Sequence, residues 1–150
     1  MVKIRSYKET DKDALIQLLE ANVPLYFSVE EIADYKQYLE TEIEQYFVAE
    51  EDGVLLGGGG INILENQNEG RISWDVIAPS SQGKGIGRDL LLYRLTILKN
   101  TPAVQQIRVR TSQVVYPFYE KNGFVLKEIQ KDFWAEGLDL YDMYYEPKKE

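Results

Sequence analysis

Apolar and polar residues alternate along Val2-Lys3-Ile4-Arg5-Ser6-Tyr7, the period of a strand with one face exposed. The period then lengthens. Leu15, Leu18 and Leu19 recur at helical spacing behind Thr10-Asp11-Lys12-Asp13, which has the pattern of a capping box, so a first helix is expected there. Pro24 breaks it, and Ser28-Val29-Glu30-Glu31 caps a second helix whose inward residues are Ile32, Tyr35 and Leu39. Tyr46-Phe47-Val48-Ala49 and Val54-Leu55-Leu56 flank Asp52-Gly53, a hairpin signal, and the second of these strands runs on through Gly57-Gly58-Gly59-Gly60 to Leu64. Arg71-Ile72-Ser73-Trp74-Asp75-Val76-Ile77 predicts the next strand, in which Arg71 and Asp75 share a face by the period of two. Beyond a glycine turn, Leu91, Leu95 and Leu98, with Leu90 and Ile97 beside them, form the core stripe of a helix that ends before Thr101-Pro102. Residues 104–110 read as a strand with Val104, Ile107 and Val109 apolar. A short helix then carries Tyr119, and residues 124–129 and 138–145 form a closing antiparallel pair.

Strands alternate with helices, and the chain shows no internal repeat, interdomain linker or low-complexity tract. One α/β (α+β) domain is expected over residues 1–146, with 147–150 as a loose tail. Four consecutive glycines weaken the strand that holds them. Two readings fit: a bulged strand that a helix crosses closely, or a substrate floor kept free of side chains.

Composition mainly excludes. At 150 residues, 44% hydrophobic and 28% charged, the chain is long enough for one ordinary core. It has no cysteine and no histidine, which removes disulfides, a thiolate nucleophile, the commonest general base and the commonest metal ligand. No metal is called for, and catalysis falls to Tyr, Asp, Glu, Lys, Ser, Thr, backbone or water. A net charge of −8 argues against a nucleic-acid backbone or an anionic membrane as main partner. The longest uncharged stretch, residues 54–64, is too short and too glycine-rich to span a bilayer, and no signal peptide is visible, so a cytoplasmic location is expected.

The most specific chemistry lies in Gln82-Gly83-Lys84-Gly85-Ile86-Gly87, set between an apolar strand end and a helix. Glycines bring backbone N–H groups close to a ligand, and a helix opening there adds unpaired donors and a positive dipole end, which suits a pyrophosphate. The spacing is not that of a P-loop, because Lys84 is followed by Gly85 and not by a hydroxyl residue. Nor is it the dinucleotide fingerprint, since the third glycine falls one position early. It resembles the acyl-coenzyme A loop of the GNAT N-acetyltransferases, [QR]-x-x-G-x-[GA], with Gln82, Gly85 and Gly87 in the fixed positions. A second motif of that family stands downstream: Tyr119 lies four residues before Gly123-Phe124, at the end of a short helix that leads into a strand. The flanking segments fit from about residue 2 to residue 145.

The resemblance implies a single GNAT-type domain, a mixed central sheet of about six or seven strands splayed in the middle and flanked by about four helices. It implies an acyl-CoA-dependent N-acyltransferase that moves an acetyl group from acetyl-CoA to a primary amine of a small molecule or protein, by direct attack in a ternary complex. Cofactor contacts fall on Ile77, where the splayed strand meets the pantetheine arm, and on Gln82, Gly83, Lys84, Gly85, Ile86, Gly87 and Arg88. Tyr119 matches the tyrosine that serves the leaving thiolate. Its hydroxyl, with an ordinary pKa of about 10, can donate to a thiolate whose conjugate acid lies near 8.5.

The general base is less legible. The strand position where some family members carry a glutamate is Arg71 here. Asp75 can act directly or through water, or can simply pair with a cation. Arg71 can hold a substrate carboxylate or make a surface salt bridge. Tyr26, Phe27 and Trp74, with Phe133 and Trp134, are candidate acceptor walls or ordinary packing. The acidic clusters around Glu40, Glu42 and Glu44, and around Glu50, Glu51 and Asp52, suit a polyamine or a lysine-rich protein, or are a solvated face. A catalytically weak acyl-CoA sensor or scaffold of the same fold is the alternative function. Edge strands at the closing pair leave room for a homodimer.

Overall fold

The Asp52-Gly53 turn has both residues at positive φ, 53° and 80°, the geometry that matches strand twist in a two-residue hairpin, and it joins β2 (Gln45–Glu51) to β3 (Val54–Leu64). The computed structural model describes residues 1–147, so the expected tail at 147–150 lies almost wholly outside the described residues. The other strands are β1 (Lys3–Ser6), β4 (Glu69–Ile77), β5 (Gln106–Thr111), β6 (Phe124–Ala135) and β7 (Leu138–Tyr145). They form a seven-stranded sheet in the order β1-β2-β3-β4-β5-β7-β6. Among the described residues only β4 and β5 pair in parallel, and the long crossover between them carries α3 (Ile86–Lys99).

Helices cover both faces. On one, α1 (Lys12–Glu20) and α2 (Glu31–Gln37) bury Leu15, Leu19 and Tyr35 against Tyr46, Val48 and Val76. On the other, α3 and α4 (Tyr116–Lys121) bury Leu90, Leu91, Leu95, Leu98 and Tyr119 against Ile61, Ile72, Val109 and Met143. The box expected at Ser28 forms only by half: its N–H and hydroxyl donate to Glu31 Oε1 at 3.0 and 3.3 Å, but the Glu31 N–H goes to the Ser28 carbonyl and α2 starts behind Glu30 with no side-chain cap. The one expected at Thr10 does not form. Asp11 accepts the Lys8 N–H at 2.8 Å and is held by the Arg5 guanidinium, which keeps its carboxyl below the usual range. Two strand ends also shift. Val104 belongs to a turn, its N–H donating to Thr101, so β5 starts at Gln106, and β6 runs past residue 129 to Ala135, carrying Phe133 and Trp134 onto the sheet edge.

The decisive irregularity is in β4. Gly60 pairs with Ser73 and Gly58 with Val76, so Gly59 alone faces both Trp74 and Asp75. Trp74 takes φ +48°, which non-glycine residues rarely adopt. One extra residue reverses every later side chain. Ile72 packs in the α3 core, yet Val76 packs in the α1 core. Arg71 and Asp75 therefore lie on opposite faces, contrary to the shared parity expected from the sequence.

The glycines of β3 fit what crosses them. A β-carbon on Gly58 would lie 2.7 Å from the Tyr46 ring, one on Gly59 2.6 Å from the Arg94 guanidinium carbon, and one on Gly60 2.6 Å from the Tyr38 hydroxyl. The bare strand lets aromatic rings on one face and an arginine on the other approach the backbone.

Candidate active site

Beyond the bulge the sheet opens. The β4–β5 register runs from Glu69↔Gln106 to Ile72↔Val109 and stops there, while β5 continues along β7 to Thr111 and β4 continues along β3 to Ile77. The mouth of this wedge is the glycine loop. Gly83 and Gly85 hold left-handed φ of 79° and 85°, and a β-carbon on either would meet nothing within 4 Å, so the loop backbone is open to a ligand. Gly85 is the N-cap of α3 and its carbonyl accepts the first ladder bond, from Asp89 at 3.0 Å. The amides of Ile86, Gly87 and Arg88 precede that ladder and point out of the helix end. A phosphate-bearing group suits this cradle.

Gln82 and Ile77 are tied to α1's end by Asn22, a residue the sequence reading missed. Asn22 is buried. It donates to the carbonyls of Leu18 and Ile77 at 2.8 and 2.9 Å and accepts from Gln82 Nε2 at 3.2 Å.

Inside the wedge, Tyr119 donates its hydroxyl to Asp75 Oδ2, and Asp75 Oδ1 pairs with Arg94 Nη2. Arg94 is fully buried and also donates to the carbonyls of Gly60 at 3.1 Å and Leu90 at 3.0 Å. Burial, and then the Asp75 charge, push the Tyr119 phenol well above its ordinary pKa, so it stays protonated across the neutral range. Both Asp75 oxygens thus have donors.

A cleft of ≈ 420 Å³ opens beside this chain of groups and is lined by both Asp75 and Tyr119. Tyr26, Phe27, Arg71 and Trp74, the candidate acceptor residues, all line it. Phe27 stacks on Trp74 at 6.2 Å, and Trp74 in turn packs on Tyr35 at 5.0 Å, so the aromatic walls are also core. Glu31 lines the same cleft, and burial pushes its carboxyl upward against the opposing Ser28 hydrogen bonds. The acidic clusters are largely engaged locally: Glu40 pairs with Lys12, Glu50 with Arg5, and Glu44 accepts the Ile63 N–H at 3.0 Å.

A family model described as an acetyltransferase (GNAT) domain matches residues 17–147. The chain belongs to the GNAT acetyltransferases. This GNAT enzyme shares its fold with a protein assigned to the same family from Desulfovibrio desulfuricans, at 22% identity and TM-score 0.82, covering 97% of this chain and 99% of that one. It is similar in the same way to the ribosomal-protein-S18-alanine N-acetyltransferase of Escherichia coli (18%, TM-score 0.76, covering 100% and 97%). An aminoglycoside 6'-N-acetyltransferase solved with coenzyme A gives 16%, TM-score 0.73, and 99% of each chain. Comparison with curated proteins finds no match.

The GNAT domain's least expected feature is Arg94. It sits four residues after Leu90 and three after Leu91, within the apolar stripe of α3, and that placement of a cation was the available signal. Asn22 had none, because the partners that tie it to the site, Ile77 and Gln82, are 55 and 60 residues away.

Proposed function

We propose that this N-acetyltransferase binds acetyl-CoA with its pyrophosphate on the amides of residues 83–88 and its pantetheine arm against β4 near Ile77, and passes the acetyl group directly to a primary amine held in the cleft. The observation that carries the reading is the wedge between β4 and β5, closed at one end by the open glycine loop and lined inside by Tyr119. Bound there, the thioester supplies an acyl group already activated for attack. Tyr119, kept protonated by burial, offers its hydroxyl to the departing sulfur by exchanging Asp75 for the new acceptor. Arg94 compensates Asp75 while that proton is away. Asp75 thereby acts as the positioning group for Tyr119 in preference to taking a proton from the amine itself, since both its oxygens already have donors. Glu31 is the better-placed base: buried, facing the cleft, and shifted in the direction a base needs.

The proposal includes cytoplasmic residence, with which a cysteine-free chain agrees, and pairing of two copies along the edge strand β6, which light scattering tests. Thiol release and mass gain with acetyl-CoA and a panel of amines test the reaction. The closed Tyr119–Asp75–Arg94 chain favours one other reading, an acyl-CoA sensor. Coenzyme A binding without thiol release for any amine would establish the sensor and overturn the enzyme.

A further inference from the structure

The cleft wall formed by β4, β5 and β7 carries a row of charges whose hydrogen bonds do not balance. Arg71 stands opposite Arg108 and Arg110 opposite Asp142 in the strand registers, which puts all four on the face away from α3, together with Glu69. The buried Glu69 accepts Arg71 Nε at 2.6 Å and Gln106 Nε2 at 3.1 Å. Asp142 accepts Arg108 twice, at 2.7 and 2.5 Å. Three arginines thus meet two carboxylates, both already engaged. Arg110 is the one left over: it makes no ion pair among the described residues, and its Nε is the buried side-chain atom with no hydrogen-bond partner there.

Such a group is expensive. An arginine does not shed its proton, so a half-buried guanidinium whose Nε has neither water nor an anion remains a cost to the fold. Burial, followed by repulsion from Arg71 and Arg108, acts against its charge. The side chain is nevertheless held in place: its guanidinium carbon lies 5.0 Å over the Phe133 ring and 5.8 Å over the Trp134 ring, and Trp134 Nε1 is fixed on the Thr111 carbonyl at 3.0 Å. Arg110, Thr111 and Trp134 line the same cleft as Tyr119.

We propose that Arg110 is the carboxylate-binding group of the acceptor site, so that the substrate class is an amine carrying a carboxylate, as in an amino acid or a peptide. The excess on this wall is a single positive charge, which a carboxylate neutralises and a dianionic phosphate would overshoot. This inference rests on the cleft being the acceptor side of the acetyltransferase reading.

The test uses ω-amino acids and their carboxamides as matched probes, with thiol release and calorimetry on the whole protein. The wild type is expected to favour the acid by roughly 10- to 100-fold in kcat/KM, the range of charge-assisted hydrogen bonds. Arg110→Gln is expected to bring that ratio near one with coenzyme A affinity unchanged, and Arg110→Lys to keep part of it. The free Arg110→Gln protein is expected to melt within a few degrees of wild type, because the charge removed had no anionic partner and only the two ring contacts are lost. Equal use of acid and amide by the wild type overturns the proposal, as does an unchanged ratio in Arg110→Gln or tighter binding of an aminoalkyl phosphate. If no amine turns over, calorimetric binding of the same pairs decides alone, and absence of acid preference there overturns it too. Failure of coenzyme A itself to bind would instead overturn the acetyltransferase reading.

Discussion

Replacing Arg94 with methionine, which fills a similar volume without charge, tests whether the ion pair in the wedge is structural. Arg94 is 0% exposed and makes three polar contacts: Asp75 Oδ1, the Gly60 carbonyl and the Leu90 carbonyl. Removing it leaves Asp75 with Tyr119 as its remaining donor, and leaves the Gly60 carbonyl without a side-chain partner beneath the sheet. Breaking one side of a buried pair typically costs about 3–5 kcal/mol. The Asp75 side chain is 16% exposed and can recover some hydration, so the lower end, ~3 kcal/mol, is expected. For a chain of this size that corresponds to a fall in Tm of roughly 6–12 °C. Thermal and urea unfolding of Arg94→Met, of Asp75→Asn and of the double variant supply the cycle. The double variant is expected to lose less than the sum of the single losses by about 1 kcal/mol or more. A Tm within ~2 °C of wild type, or strict additivity, would refute the reasoning, because it would mean that the pair is hydrated or unformed.

Tyr119→Phe is expected to lower single-turnover acetyl transfer by about 10²–10⁴-fold while leaving coenzyme A affinity unchanged, and a wild-type rate would dismiss the role of the hydroxyl. Because the phenol is pushed well above its ordinary value, the wild-type kcat profile is expected to show no alkaline limb near pH 10, and such a limb would contradict the burial argument. Glu31→Gln keeps an acceptor for the Ser28 N–H but removes a base, so the acidic limb of kcat/KM is expected to vanish. Glu31 is raised in the folded state, so its unfavourable ionisation costs stability as pH climbs from the unfolded value through the folded one; the variant's unfolding is expected to be flatter over that window. Gly85→Val forces a β-branched residue to φ 85° and is expected to weaken both fold and coenzyme A binding, whereas a β-carbon at Gly87 meets Phe118 at an ordinary 3.5 Å, so Gly87→Ala should spare stability and reduce affinity. Lys84→Ala should cost less affinity than either, and calorimetry showing unchanged affinity in both glycine variants would remove the loop from the site.

Local order was legible in the chain because it rests on neighbours. The hairpin at Asp52-Gly53, the leucine stripe of α3, the glycine loop at its start and the spacing of Tyr119 to Gly123 all follow from backbone freedom and periodicity within a few residues. What the sequence could not place depends on residues far apart. The extra residue at Trp74 carries no glycine to announce it; its positive φ accompanies packing against Phe27, Tyr35 and Tyr38, which come from another part of the chain. That one residue decides that Asp75 turns toward α3 and away from Arg71's face. Tyr119 and Asp75 meet across 44 positions and Arg94 and Asp75 across 19, and Arg110 is left without an anion because the register gives Glu69 to Arg71 and Gln106 and gives Asp142 to Arg108. Periodicity assigns a side chain to a face. Which partner it finds on that face, or whether it finds one, is settled by strand order and register, and these exist only once the sheet has closed.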